Sequence, residues 1–339
     1  MIKPIGLLWL LLLAGTCCAQ NNYRNYYDYI NLAEKKMLQS RFDAADSCFK
    51  AAFATSPKHG YNLDYLTAAF NAAKRNDTLA IDTYLRGFAQ RGGNYHMLKN
   101  KVSQNRWMEE HAPAMLAYLS ASHRAALRKE LDRAYRAYAV TVNPGLIKKI
   151  KRMYRNDQRY ARGFLVGLLP ARKQDRIMEK TDHKHAQQLL AICKIYGWPG
   201  FDLLGEYREY GKYRLDKIDV LLRHFSHDDL ELLKPYILNS IRGLNYYPSI
   251  LAGCIDYNDV KQPVYNEKKG VYEIRQRYGT LSQTENGVST LIPFGKPAEL
   301  SVRRKELFLC DIEDYCLIRR IDRMPSTECI TIEAQHPKK

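Results

Sequence analysis

The stretch Ile195-Tyr196-Gly197-Trp198-Pro199-Gly200 restricts the fold more than any other in the chain. A helical pattern carrying Leu189, Leu190, Ile192, Cys193 and Ile195 leads into it. Gly197 is a natural helix stop and Pro199 lacks the amide that continuation needs. Beyond Leu203, Leu204 and Gly205, a second stripe follows: Leu215, Ile218, Leu221, Leu222 and Phe225, with His224 at its edge. Two helices joined through a glycine-tryptophan-proline corner predict a mostly α body with a large aromatic fixed at its bend.

The first twenty residues stand outside that body. Lys3, the apolar run Ile5 to Leu13 and the small-residue stretch Cys17-Cys18-Ala19 have the layout of an export leader cleaved after Ala19. The competing reading, lipidation at Cys17 or Cys18, is disfavoured by Thr16 just before the cysteine pair. Export places the mature chain in the periplasm or outside the cell. The formal charge, +17 for the whole sequence and one less without Lys3, then directs attention to anionic envelope polymers, membrane surfaces or other proteins, and not to nucleic acid. Six cysteines follow the leader: Cys48, Cys193, Cys254, Cys310, Cys316 and Cys329. The first three sit in helical apolar patterns, as buried thiols do. Reduced cysteines are expected, with a Cys310–Cys316 or Cys316–Cys329 bridge left open.

Residues 26 to 59 carry Tyr29, Leu32 and Ala33 on one helical stretch and Ala45, Phe49, Ala52 and Pro57 on the next. The Ala45-x3-Phe49…Pro57 spacing resembles a tetratricopeptide repeat, in which small residues let two antiparallel helices approach. A weaker copy spans about 61 to 93, with Ala68, Ala80, Tyr84 and Gly87 in the matching places. Two repeats cannot close their own core. Helices over Asn94–Trp107 and Pro113–Val140 are expected to dock on them, the latter through Leu116, Leu119, Ala126, Leu127, Leu131 and Tyr135. Such repeats imply a protein or peptide partner in their groove, or an assembly platform.

Asn143-Pro144-Gly145 marks the boundary between this region, 20–143, and a second helical domain, 144–323, with a tail at 324–339. From Gly145 to Lys180 there are eleven Lys or Arg against three acids. Leu146, Ile147, Ile150, Met153 and Tyr154 give that segment one apolar face and a basic remainder, suited to an anionic surface or to plain solvation.

From about Leu146 to Tyr315 the chain shows Asp157-Gln158, Asp182, Tyr196-Gly197-Trp198-Pro199, Gly205, His224, Asp256, Gln276-x-Tyr278-Gly279-Thr280 and Arg303-Arg304. In this order they resemble an uncharacterised bacterial domain found behind export signals. The resemblance implies no particular reaction. Two positions depart from its pattern: Arg223 stands where glutamine is usual before the histidine, and Tyr257 where arginine follows the later aspartate.

Local signals complete the outline. Thr181 or Asp182 is expected to cap the helix ending at Tyr196, and Asp228 with Glu231 to form a capping box, with Pro235 kinking or restarting that helix. Pro248 suits the first position of a helix that delivers Asp256. Val271 to Tyr278 and Val288 to Ile292 predict a hairpin near 270–293 with an Asn286-Gly287 turn, then helix over Ala298–Tyr315 and a strand or loose segment at Cys329–Glu333.

The residues with chemical potential are His224, Asp182, Asp256, Gln276 and Tyr278. A histidine oriented by a carboxylate can act as general base, and Tyr278 or Gln276 could donate to developing negative charge. Hydrolysis of an ester, amide or glycosidic bond would suit them, and paired aspartates glycoside cleavage. The structural alternative makes Asp182 a cap, His224 a core-edge residue and Gln276 a tie for the hairpin. Trp198, Arg303 and Arg304 are the expected binding residues. A metal set of His183, His185, His224 and His227 is considered and not adopted, and no cofactor is expected, since phosphate-loop and dinucleotide glycine patterns and the Gly-x-Ser-x-Gly elbow are absent. The leading expectation is an exported binding or scaffold protein of the cell envelope; the alternative is a hydrolase built on His224 with Asp182 or Asp256.

Overall fold

The computed structural model describes residues 23–56, 60–95, 106–121, 124–161, 170–205, 208–209, 212–213, 215–262, 264–267, 271–325 and 330–333. The expected leader, Pro57 of the expected first repeat, most of 94–107 and Cys329 lie outside them. Helix α1 (23–38) turns back through Ser40, at φ +56°, into α2 (Phe42–Thr55). Ala33, Met37, Ala45, Phe49 and Ala52 are buried between and beneath this pair. Helix α3 (Asn62–Lys74) and α4 (Thr78–Gln90) repeat the arrangement, with Asp77 accepting the Ala80 amide at 3.0 Å as N-cap. Gly87 is there because Tyr65 is: a Cβ on Gly87 would lie 2.3 Å from the Tyr65 ring.

The segment after Pro113 is not one helix. α5 (Arg106–Ser120) ends and α6 (Ala125–Ala139) begins across Ala121–Arg124, so Leu119 and Leu127 reach the core from separate helices. Asn143 then caps α7 (Pro144–Ala161), its Oδ1 accepting the Leu146 amide at 3.0 Å, with Pro144 at the first position. α8 runs unbroken over Ala171–Tyr196, which corrects the expected cap at Thr181 or Asp182. Both lie in mid-helix, so the Asp182 carboxylate is not spent on backbone amides. A two-stranded ribbon, β1 (Arg208–Glu209) and β2 (Lys212–Tyr213), precedes α9 (Leu215–His224). α10 (His227–Arg242) is capped by Ser226, which accepts the Asp229 amide at 3.1 Å, and not by Asp228; exposed Pro235 sits within it without ending it. α11 (Pro248–Lys261) starts on its proline as expected.

The Trp198 corner is a clasp. Gly197 closes α8 at φ +73°, and Phe201 N and Asp202 N donate to Asn245 O and Asn245 Oδ1 at 3.0 and 2.8 Å. Trp198 is buried and meets Tyr246 edge-on, centroids 5.3 Å apart.

A small hairpin is present, but its pairing differs from expectation. β5 (Ser282–Glu285) and β6 (Val288–Leu291) pair across Asn286-Gly287, both at positive φ. β4 (Val271–Ile274) instead sits between β3 (Val264–Asn266) and β7 (Ile330–Glu333) in an antiparallel three-stranded sheet. Ser282–Glu285 is exposed throughout, so no hydrophobic alternation marks it as a strand. Helices α12 (Pro297–Glu306) and α13 (Ile312–Arg319) follow. The five cysteines among the described residues are free.

One hydrophobic core runs from Tyr26 to Leu307, through both halves of the chain. The Tyr27 hydroxyl lies 2.7 Å from Ile241 O and that of Tyr61 2.8 Å from Tyr246 O, and the two hydroxyls touch each other, so their two protons are shared among three contacts. Tyr27 stacks on Phe308 at 4.9 Å, and Tyr61 packs on Tyr247 at 4.2 Å and Phe201 at 5.6 Å. The aromatic face of α1 and the head of α3 are therefore covered by the chain's own C-terminal half.

Candidate functional site

Helix α7 buries Leu146, Ile147, Ile150 and Met153, and the next position of that stripe is Asp157, also buried. A carboxylate on a buried stripe needs a partner, because leaving it unpaired costs several kcal/mol in effective desolvation (roughly, for an ion in a protein interior). Asp157 finds His224 at the end of α9: Nδ1 of the imidazole lies 2.7 Å from Asp157 Oδ1, and Gln158 Nε2 donates to Oδ2 at 3.0 Å. Helix α8 has a similar stripe in Ala186, Leu189, Ile192 and Cys193, extended toward its start by buried His185 and half-buried Asp182. Ligand atoms of Asp157, Asp182 and His224 all fall within 4.8 Å of one another. Three helices thus bring two carboxylates and an imidazole to one point. The His224 side chain keeps 18% of its surface exposed, enough for solvent to reach it, whereas Asp157 keeps 3%.

Burial pushes the Asp182 carboxyl up to about 6; His224 draws it down, the Asp157 charge raises it, and Lys261 lowers it. Burial holds the His185 imidazole below its ordinary range, against the pull of nearby Asp157, and its Nδ1 has no hydrogen-bond partner. Around this centre other histidines face their own carboxylates. His183 Nδ1 lies 3.0 Å from Asp229 Oδ1, and His227 Nε2 3.7 Å from Asp259, which Arg277 also approaches at 3.3 Å. His183, His185, His224 and His227 therefore do not form one ligand group among the described residues. Arg223 lies over the Tyr257 ring at 5.9 Å, so the two departures from the motif pattern are neighbours in space.

Asp256, Gln276 and Tyr278 belong to a different cluster, and its function is to hold a turn. Fully buried Asp256 accepts Arg277 N and Tyr278 N at 2.7 Å on one oxygen, and Thr280 N and Oγ1 at 2.8 and 2.7 Å on the other. Burial pushes its carboxyl up to about 6 against the downward pull of those donors. Gln276 spends its amide on Leu281 N, Leu281 O and Ile292 O. Burial raises the Tyr278 phenol to about 12, and its carbonyl accepts from Arg304. Arg304 is buried, with Nε donating to Cys310 O at 2.7 Å, and Arg303 Nε donates to Arg277 O at 3.0 Å. Both guanidinium groups stitch α12 to the 276–281 turn, and Trp198 is core. The three expected binding residues thus have structural partners.

The structure unites His224 with Asp182 and adds Asp157, a motif residue outside the expected catalytic set. The usable signal was its spacing, four residues after Met153 and seven after Ile150, on a stripe otherwise apolar. No family model, curated protein or solved structure matches the chain.

Proposed function

We propose that the chain is an exported cell-envelope protein with a hydrolytic centre at His224, Asp157 and Asp182, carried on a platform of helical repeats. The observation that carries this reading is the His224–Asp157 contact of 2.7 Å beside an Asp182 carboxyl held near 6. With Nδ1–H donating to buried Asp157, the imidazole is fixed in the tautomer whose Nε2 lone pair accepts a proton from water. A carboxyl that titrates near 6 retains enough proton near neutrality to donate to a leaving oxygen or nitrogen. Such a pair, base and acid within one hydrogen-bonded cluster, suits cleavage of an ester, amide or glycosidic bond. Coverage of Tyr27 and Tyr61 by Phe308 and Tyr247 supports a platform role for the repeats. The test is turnover on a panel of chromogenic esters, amides and glycosides by the purified chain. Hydrolysis of one class that falls at least about a hundredfold in His224→Ala, with helicity retained, is expected for loss of a general base. Equal rates in the variant would refute the reading.

A second reading, binding without catalysis, rests on α7. Its exposed positions from 148 to 159 are Lys148, Lys149, Arg152, Arg155 and Arg159, all basic, and none forms an ion pair with a described residue. Because the apolar side of α7 is buried in the core, this stripe offers charge without a greasy face, which favours an anionic polymer over insertion into a membrane. Salt-sensitive retention on dextran sulfate, abolished by reversing three of these charges, is the expected result; retention unchanged by the reversal would remove this reading.

A further inference from the structure

We infer that Asp157, Asp182 and His224 form a binding site for a divalent metal cation. This rests on the reading that the cluster is the working centre, and it specifies what activates the water there.

Three observations lead to a cation. First, the donor atoms come from three separate helices, α7, α8 and the end of α9, and meet within 4.8 Å. That is the convergence a metal site needs, and it is more than an acidic patch, because one donor is an imidazole and Asp157 is buried. Second, two carboxylates gathered this closely repel each other when both are ionised. A positive ion between them would remove that repulsion. Third, His185 stands beside Asp157 with 3% of its surface exposed and a ring nitrogen without a partner. It lies three residues from Asp182 on the same helix, a neighbour of the cluster outside the three groups that converge.

The donor chemistry narrows the ion. Two oxygens and one imidazole nitrogen, with no thiolate in the group, suit Zn2+ or Mn2+ rather than a soft monovalent ion. Ligand bonds of about 2.0–2.2 Å in a tetrahedral shell set donors about 3.3 Å apart. The His224–Asp157 contact of 2.7 Å would have to open to that spacing, exchanging its hydrogen bond for two bonds to the ion. Gln158, donating to Asp157 Oδ2 at 3.0 Å, orients that carboxylate from outside the shell. Three protein ligands leave a position for water, the arrangement in which a cation lowers the water's pKa toward neutrality. A cation held there would make His224 a ligand in place of a general base, and would supply a water activated for attack.

The experiment titrates the chelator-stripped full chain with Zn2+ and with Mn2+, reading affinity by competition with a chromogenic chelator and the melting temperature alongside. One cation per chain and a rise in melting temperature are expected. Asp182→Asn and His224→Ala should each weaken binding at least about tenfold. His183→Ala, whose imidazole faces Asp229, should bind as the parent does. Asp182 is only half-buried, so its variant stays informative if changes at Asp157 unfold the chain. Absence of one-to-one binding of either ion, or unchanged affinity in both variants, would overturn the inference. A chain that hydrolyses its substrate and binds no cation would reject the metal and keep the acid–base centre. A chain that binds the cation and hydrolyses nothing would do the reverse.

Discussion

Across 67 positions of sequence, Nδ1 of His224 and Oδ1 of Asp157 come to 2.7 Å, with Asp157 withdrawn from solvent and His224 at its edge. Neither side chain has this position by local preference. Asp157 is drawn in by the apolar residues preceding it on α7, and His224 is placed by Leu221, Leu222 and Phe225, each fully buried. Asp157→Ala should therefore cost roughly 1.5–3 kcal/mol, as for loss of a hydrogen bond to a charged group. Asp157→Asn should recover part of that loss in stability. Urea unfolding of the two variants checks both statements.

The turn at 276–281 gives a larger effect away from the proposed chemistry. Asp256→Ala would strand the amides of Arg277, Tyr278 and Thr280, and an unpaired buried donor costs about 1–3 kcal/mol. A loss of about 3–5 kcal/mol is expected, in the range seen when a buried charged network is broken. A drop in urea midpoint that leaves cation affinity of the refolded protein unchanged would separate this cluster from the one at His224.

Legibility of the chain divides along the same line. The helical character of the chain, the helix start after Asn143, the Gly197 stop and the Asn286-Gly287 turn are readable because each follows a local rule about apolar spacing, caps or positive φ. The pairing of β4 with β3 and β7 was not, since strand partners are chosen by the surface left after the helices pack. The motif Gln276-x-Tyr278-Gly279-Thr280 was visible, and its polar side chains invited a catalytic role. Their hydrogen bonds show that a sharply bent buried segment needs the same residue types to satisfy its own backbone. Asp182 was misplaced as a cap because α8 starts eleven residues earlier, at Ala171, on a proline and without a side-chain cap.

Gly87 offers a packing test. Gly87→Ala improves helix propensity by about 1 kcal/mol at an exposed site, but here the new Cβ would lie 2.3 Å from the Tyr65 ring. Tyr65 is itself held by Phe53 at 3.8 Å and by Arg91 above it at 4.2 Å, so it has little room to yield. Net destabilisation of about 1–3 kcal/mol is expected from overpacking, and calorimetry would register it as a lower melting temperature.

Three carboxyls raised by desolvation, one buried and two half-buried, should invert part of the usual pH dependence. Burial raises Asp64 to about 7, Asp182 to about 6 and Asp256 to about 6. Their folded-state values exceed the unfolded ones, so the native state holds protons that the unfolded chain has released. Each group therefore adds stability as pH falls from its folded value toward about 4. His185, lowered by burial, opposes this below about 6.5. Asp64→Asn, which keeps the shape beside Tyr26, isolates the largest contribution. The stability gain from pH 8 to pH 5.5 should be smaller in this variant than in the parent.

The continuous core makes a statement about the halves. Tyr27 and Tyr61 reach Ile241 and Tyr246 across the chain, so residues 20–143 expressed alone would expose that aromatic face. The full chain should unfold in one cooperative step, and the fragment should show no cooperative transition of its own. Two resolved transitions in the full chain would contradict this.

The central claim is that Asp157, Asp182 and His224 are one coupled centre. The most direct measurement is a carbon-13 carboxyl titration of Asp182 in the parent chain and in His224→Ala. The account requires a midpoint near 6 in the parent, rising further in the variant, because the imidazole that draws the carboxyl down is gone. A midpoint in the ordinary aspartate range, indifferent to residue 224, would contradict it.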